Sequence, residues 1–228
     1  MDTDITAVSF YMRTFWGAPA YEVDSFFLRQ FSAHRLFAWG PGYEYVTHRP
    51  PTVLDEQRRN LETLKPVTAA EMKAKGIFLR HYELLFPKQV AEKSKYYAAV
   101  AWTSELKQAE KWLETCYNSI TRPFRVHMAY SHISWLEHFT ADHPPQIGLM
   151  MHAVTGGFHE GVSARQTSDI ESLLSSRSYR VKRAVLRRLI PIDKFLAVMK
   201  AALRRILERT ALWRALQRVK RVVARTGL

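Results

Sequence analysis

Gly40-Pro41-Gly42 is the feature that most narrows what this chain can fold into. Glycine reaches positive φ without a Cβ penalty, and proline holds its own φ fixed, so the tripeptide demands a tight turn. Short aromatic runs flank it, Leu36–Trp39 before and Tyr43–Thr47 after. Together they predict a two-stranded hairpin. His48-Arg49-Pro50-Pro51 then stops the second strand, because proline cannot donate to a ladder. Upstream, Ile5–Phe15 is rich in β-branched and aromatic residues and predicts a strand or an extended segment, broken at Trp16–Pro19. Tyr21–His34 predicts a helix with Phe26, Phe27, Leu28 and Phe31 on its apolar face.

Beyond Pro51 the pattern reads as helical throughout. Thr52–Lys65 predicts a polar amphipathic helix. Thr68-Ala69-Ala70-Glu71 is a capping box, in which the Thr side chain and the Glu side chain each serve the other's backbone N–H. It opens a predicted helix running to about Phe86, which pairs with a long one over Lys88–Tyr117 as a helical hairpin. Ser131–Ala141, Gln146–Val154 and Ser168–Leu174 each predict a short helix. The expected fold is therefore mainly α, with a small β-hairpin near the N-terminus. The expected domains are 1–51, a helical 52–176 and a tail over 177–228.

Charge singles out that tail. The chain carries a net charge of +13, yet residues 177–228 hold sixteen Lys/Arg against only Asp193 and Glu208. Residues 1–176 hold eighteen Lys/Arg against nineteen acids and are nearly neutral. A basic appendage on a neutral body points to a polyanionic surface as partner. From Ile192 to Arg225, Phe195, Met199, Leu203, Ile206 and Trp213 fall at helical spacing among cations. That pattern suits a helix lying in an anionic membrane interface, with Phe195, Lys200, Arg204, Arg205, Trp213 and Arg218 as candidate contacts. Aromatics interleaved for base stacking are missing, so nucleic acid is not the expected partner. The single cysteine, Cys116, excludes an intramolecular disulfide. No run of about 18 apolar residues occurs, and the acidic start MDTDITAV is unlike a signal peptide. The expected location is cytoplasmic, peripheral to the inner face of the membrane.

Tyr21–Arg49 also resembles the closing part of a family 2 glycosyltransferase catalytic domain of the GT-A type. The residues that carry the resemblance are Glu22 and Asp24, then Phe26-Phe27-Leu28-Arg29, then Gly40-Pro41-Gly42, then Tyr45 and His48-Arg49. The resemblance implies that the hairpin is a remnant of a GT-A α/β domain. It implies that Glu22 or Asp24 acts as general base on an acceptor hydroxyl. It further implies that Arg29, Tyr45, His48 and Arg49 contact substrate, with guanidinium suited to diphosphate. The donor would be a nucleotide-sugar with Mg²⁺ or Mn²⁺, bound by a nucleotide-binding half that precedes this region in the family and would here be separate. The acceptor would be an envelope polysaccharide or glycolipid.

The nine histidines do not carry the spacing of a metalloprotease helix, and no metal site is expected from them. Asp2-Thr3-Asp4 matches the family's metal motif literally, but its place at the terminus favours an exposed, frayed segment. The competing expectation is a non-catalytic helical module that binds a membrane or a partner protein.

Overall fold

The strand expected near the N-terminus is present as β1 (Ala7–Trp16), and the sheet is organised on it. The structure is a computed structural model that describes residues 4–25, 28, 31–48, 50–100, 108–127, 133–158 and 161–189. It corrects the expectation of a mainly α chain: β1 is the centre of a six-stranded mixed sheet. A tight hairpin at Gly17 leads antiparallel into β2 (Ala18–Ser25), and β2 pairs with β8 (Ser134–His138). Gly17 has φ +71°, and a Cβ there would meet Ile170 Cδ1 at 3.1 Å and Arg165 Cδ at 3.2 Å, so any other residue would be strained and crowded.

The other edge of β1 is shared end to end. Its first half, Ala7 to Tyr11, pairs antiparallel with β3 (Ser32–Phe37). Its second half, Met12 to Trp16, pairs parallel with β7 (Leu79–Leu84). At Ala7 and Val8 the short β6 (Pro66–Val67) pairs in parallel on the edge away from β3. The partner of β1 therefore changes identity and direction between Tyr11 and Met12.

Three expected helices are strands. Tyr21–His34 contributes β2 and the start of β3. In β2, Tyr21, Val23 and Ser25 are buried while Glu22 and Asp24 are half-buried, which is the period of two of a strand. Thr52–Lys65 begins as β5 (Pro51–Leu54) and continues through a 3₁₀ turn at Leu61–Thr63. Ser131–Ala141 contains β8, four of whose five residues are buried. The helical hairpin is also absent. The capping box starts α1 as expected, but α1 (Ala69–Ala74) stops at Lys75 and Gly76, and the chain enters β7. The Gly-Pro-Gly turn forms, with Tyr43 N–H donating to Gly40 O at 3.2 Å and Gly42 at φ +76°. It does not make the expected hairpin. β3 pairs with β1, whereas β4 (Glu44–His48) pairs with β5.

Helices cover the remainder: α2 (Pro87–Val100), α3 (Ala109–Trp112) running into a π-helical turn at Leu113–Asn118, α4 (Pro145–Thr155) and α5 (Ser168–Ser175). Trp16, Trp135, Tyr117, Phe15 and Leu136 are fully buried. Each such side chain contributes roughly 1.5–3 kcal/mol by leaving water. The polar atoms of the buried Trp16, Trp112 and Tyr117 rings are paired. Trp16 and Trp112 both donate Nε1–H to Val126 O, and Tyr117 donates its hydroxyl to Leu85 O at 3.0 Å.

Met1–Ser176 forms one compact unit and Arg177–Leu228 a second. Within the first, β1 and β2 pair with β7 and β8, so residues on both sides of the expected 51/52 boundary share one sheet. In the second, residues 177–189 are helical. The expected membrane contacts Phe195, Lys200, Arg204, Arg205, Trp213 and Arg218 lie outside the described residues.

Candidate functional site

Where β3 ends and β7 begins along β1, a cavity of about 810 Å³ opens. Its floor is sheet. Met12 and Thr14 of β1 share a face with His81 and Glu83 of β7, because alternate strand residues point the same way and Thr14 lies directly opposite His81. One wall is β3, with His34, Arg35 and Phe37. Lys93 and Tyr97, four apart on α2, line it from another element, as does His127. The β4–β5 hairpin supplies Tyr45, His48, Pro50 and Pro51.

Tyr45 and His48 are three residues apart, which in a regular strand puts them on opposite faces. A register irregularity between Tyr45 and Thr47 brings them together, and Tyr45 Oη lies 2.9 Å from His48 Nδ1. Of the expected substrate contacts, Tyr45 and His48 line this cavity. Arg29 and Arg49 lie outside the described residues. Glu22 and Asp24 do not line the cavity. They sit on β2, where Glu22 pairs in register with Glu137 and lies 3.8 Å from Arg13, and Asp24 pairs in register with Trp135.

The cavity has its own carboxylates, Glu62 and Glu83. Glu83 forms an ion pair with Lys93. It also lies 3.2 Å from His81 Nδ1, but that contact lacks hydrogen-bond alignment. Burial first, then the positive charges of Lys93 and Arg35, pushes His81 down to about 4, so its ring is neutral and no salt bridge to Glu83 results. Glu62 Oε1 lies 3.2 Å from His34 Nδ1 and is held by the 3₁₀ turn that Asn60 caps. Arg35 donates a long 3.4 Å bond to the His34 carbonyl and has no ion pair among the described residues. The site thus combines a neutral floor, two carboxylates of different status, a cation at the wall, and aromatic rings.

Sequence reasoning missed Thr14, His34, Arg35, Glu62, His81, Glu83 and Lys93. The alternation His81-x-Glu83 was the available signal for a strand, hidden by reading that segment as a continued helix.

The opposite face of β1 carries an aromatic cluster around Phe15. Phe15 stacks on Tyr82 at 4.8 Å and meets Phe139 and His143 edge-on at 4.9 and 4.8 Å. His143 Nε2 must donate to the Pro19 carbonyl at 3.0 Å, which leaves Nδ1 to accept the Tyr82 hydroxyl at 2.8 Å. Burial lowers the His143 pKa, consistent with that neutral tautomer. Among the described residues no group of three or more His, Cys, Asp or Glu is arranged to hold a metal ion. Comparison with protein-family models, curated proteins and solved structures gave no match.

Proposed function

We propose that this chain carries the acceptor side of a sugar-transfer site, working with a nucleotide-sugar donor at an anionic membrane surface. The observation that carries the reading is the cavity that brings Tyr45 and His48 together with Arg35, Glu62 and the aromatic rings of Phe31 and Tyr97. Aromatic faces suit the C–H surfaces of a sugar ring, and a few placed polar groups fix its orientation. Arg35 faces the diphosphate, since a guanidinium binds phosphate through two parallel N–H bonds. Glu62 takes the proton of the acceptor hydroxyl. The freed oxygen bonds to the anomeric carbon, and the bond from that carbon to the diphosphate breaks, leaving the nucleoside diphosphate as product. Glu83 is the weaker candidate for the base because Lys93 already neutralises it. Glu22 and Asp24 have no part in this scheme. Mg²⁺ or Mn²⁺ would accompany the donor on the nucleotide-binding half.

Calorimetry of the full chain with UDP- and GDP-sugars in Mg²⁺ or Mn²⁺ tests the reading. The expected result is saturable binding that Arg35→Gln weakens. Absence of binding to every donor contradicts it for the chain by itself.

A second observation favours the membrane part of the reading, and equally a non-catalytic membrane module. In the helix over residues 177–189, Val181, Val185 and Leu189 recur every four residues and stay exposed, at 56%, 52% and 42%. Six Lys/Arg and no acid share that helix. Each cation near anionic lipid adds roughly 1 kcal/mol. Flotation with phosphatidylserine vesicles should fall when Val181 and Val185 are both replaced by Ser. Unchanged flotation removes this helix from the membrane interface.

A further inference from the structure

Two buried side-chain polar atoms lack a hydrogen-bond partner among the described residues: Thr14 Oγ1 and His81 Nδ1. Buried polar groups in folded proteins are nearly always satisfied, so each orphan asks for a partner. These two are not scattered. They belong to directly opposed residues of the β1–β7 ladder, and both residues line the same cavity. We infer that Thr14 and His81 form a hydroxyl-binding subsite on the cavity floor that takes an uncharged pyranoside. The inference rests on the sugar-transfer reading and assigns these two residues to the acceptor ring.

The chemistry of the floor selects a hydroxyl over other groups. A hydroxyl donates and accepts at once, so one group can satisfy a threonine hydroxyl and an imidazole nitrogen together. An anion is disfavoured because the Glu83 carboxylate lies 3.2 Å from His81 Nδ1, and the nearby Lys93 is already paired with Glu83. A cation gains little, since the neutral imidazole and the threonine offer it no charge. Phe31, Phe37 and Tyr97 flank the floor with the apolar surface that a pyranose ring covers. His81 binds and orients here and is not the base: a ring that titrates near 4 holds a proton too weakly at neutral pH.

The test follows the His81 ring by NMR in the full chain labelled at histidine. The probes are the methyl α-glycosides of glucose, mannose and galactose. At least one should move the His81 ring signals saturably, and Thr14→Val should weaken that binding by about five- to tenfold, the loss of one hydrogen bond. Thr14→Ser, which keeps the hydroxyl, should bind as the parent does. If no glycoside moves His81, or Thr14→Val binds as the parent does, the floor holds water only and the inference is overturned. The wild-type titration decides even if Thr14→Val does not fold. The transfer reading is separable: glycoside binding at His81 without any nucleotide-sugar binding leaves the subsite standing and removes transfer. Nucleotide-sugar binding with a silent His81 does the reverse.

Discussion

Arg165 is a buried cation that the fold should miss. Its side chain is 7% exposed, and its guanidinium bridges the π-helical turn and α5. Nε and Nη2 donate to the Tyr117 carbonyl at 3.0 and 2.8 Å, at the end of the turn where helical carbonyls have no partner of their own. Nη1 and Nη2 donate to the two Asp169 oxygens at 2.8 and 2.6 Å, and the plane lies 4.7 Å over the Trp16 ring. The Arg165 hydrogen bonds are the main reason the Asp169 carboxyl titrates below its usual range. Arg165→Met keeps much of the volume and removes every polar contact. The carbonyl bonds are charge-assisted and part-buried, worth about 2 kcal/mol. Asp169 is 40% exposed, so its pair adds only about 0.5 kcal/mol after screening. The cation over Trp16 adds about 1 kcal/mol. The variant should therefore lose about 3–4 kcal/mol in urea unfolding followed by tryptophan fluorescence. Arg165→Lys keeps the charge without the fork and should recover less than half. A loss below about 1 kcal/mol for Arg165→Met would refute the clamp, since it would price a part-buried orphan carbonyl at nothing.

His81 makes stability depend on pH. Unfolded, it titrates near 6.5; folded, at about 4. Between those values only the unfolded chain takes up the proton, so stability is full above about pH 6.5 and declines until about pH 4. The full effect would be about 3 kcal/mol, halved to about 1.5 kcal/mol because 34% of the side chain is exposed. His81→Gln should flatten that part of the unfolding curve, and an unchanged slope would contradict the burial argument. Tyr117→Phe removes a side-chain donor to the Leu85 carbonyl and should cost about 1–3 kcal/mol in the same assay. Trp112→Phe should cost less in hydrogen bonding, because Val126 O keeps its bond from Trp16.

The sequence made some elements legible and hid others for physical reasons. β1, the start of α1, the Gly40-Pro41-Gly42 turn, α4 and α5 all carry local signals: β-branched runs, a capping box, turn glycines, and Gly156-Gly157 after the last helical turn. β8 carries none. Ser134 to Glu137 are buried on both faces, so alternation vanishes and the segment resembles a short apolar helix. β7 follows a genuine helix start, and only the break at Gly76 separates them. The cavity was half visible. Tyr45 and His48 lie in one short stretch, but Thr14 and His81 meet only because β1 and β7 pair in parallel across 66 intervening residues. A parallel pair needs a long crossover and leaves no local trace.

The central claim is that the cavity at the β3–β7 junction is where substrate binds. A calorimetric titration of the full chain with UDP- and GDP-sugars in Mn²⁺, run beside Arg35→Gln, addresses it most directly. Saturable binding is expected in the parent, weakened about tenfold or more when the guanidinium is lost. Binding of equal strength in both proteins, or in neither, contradicts it.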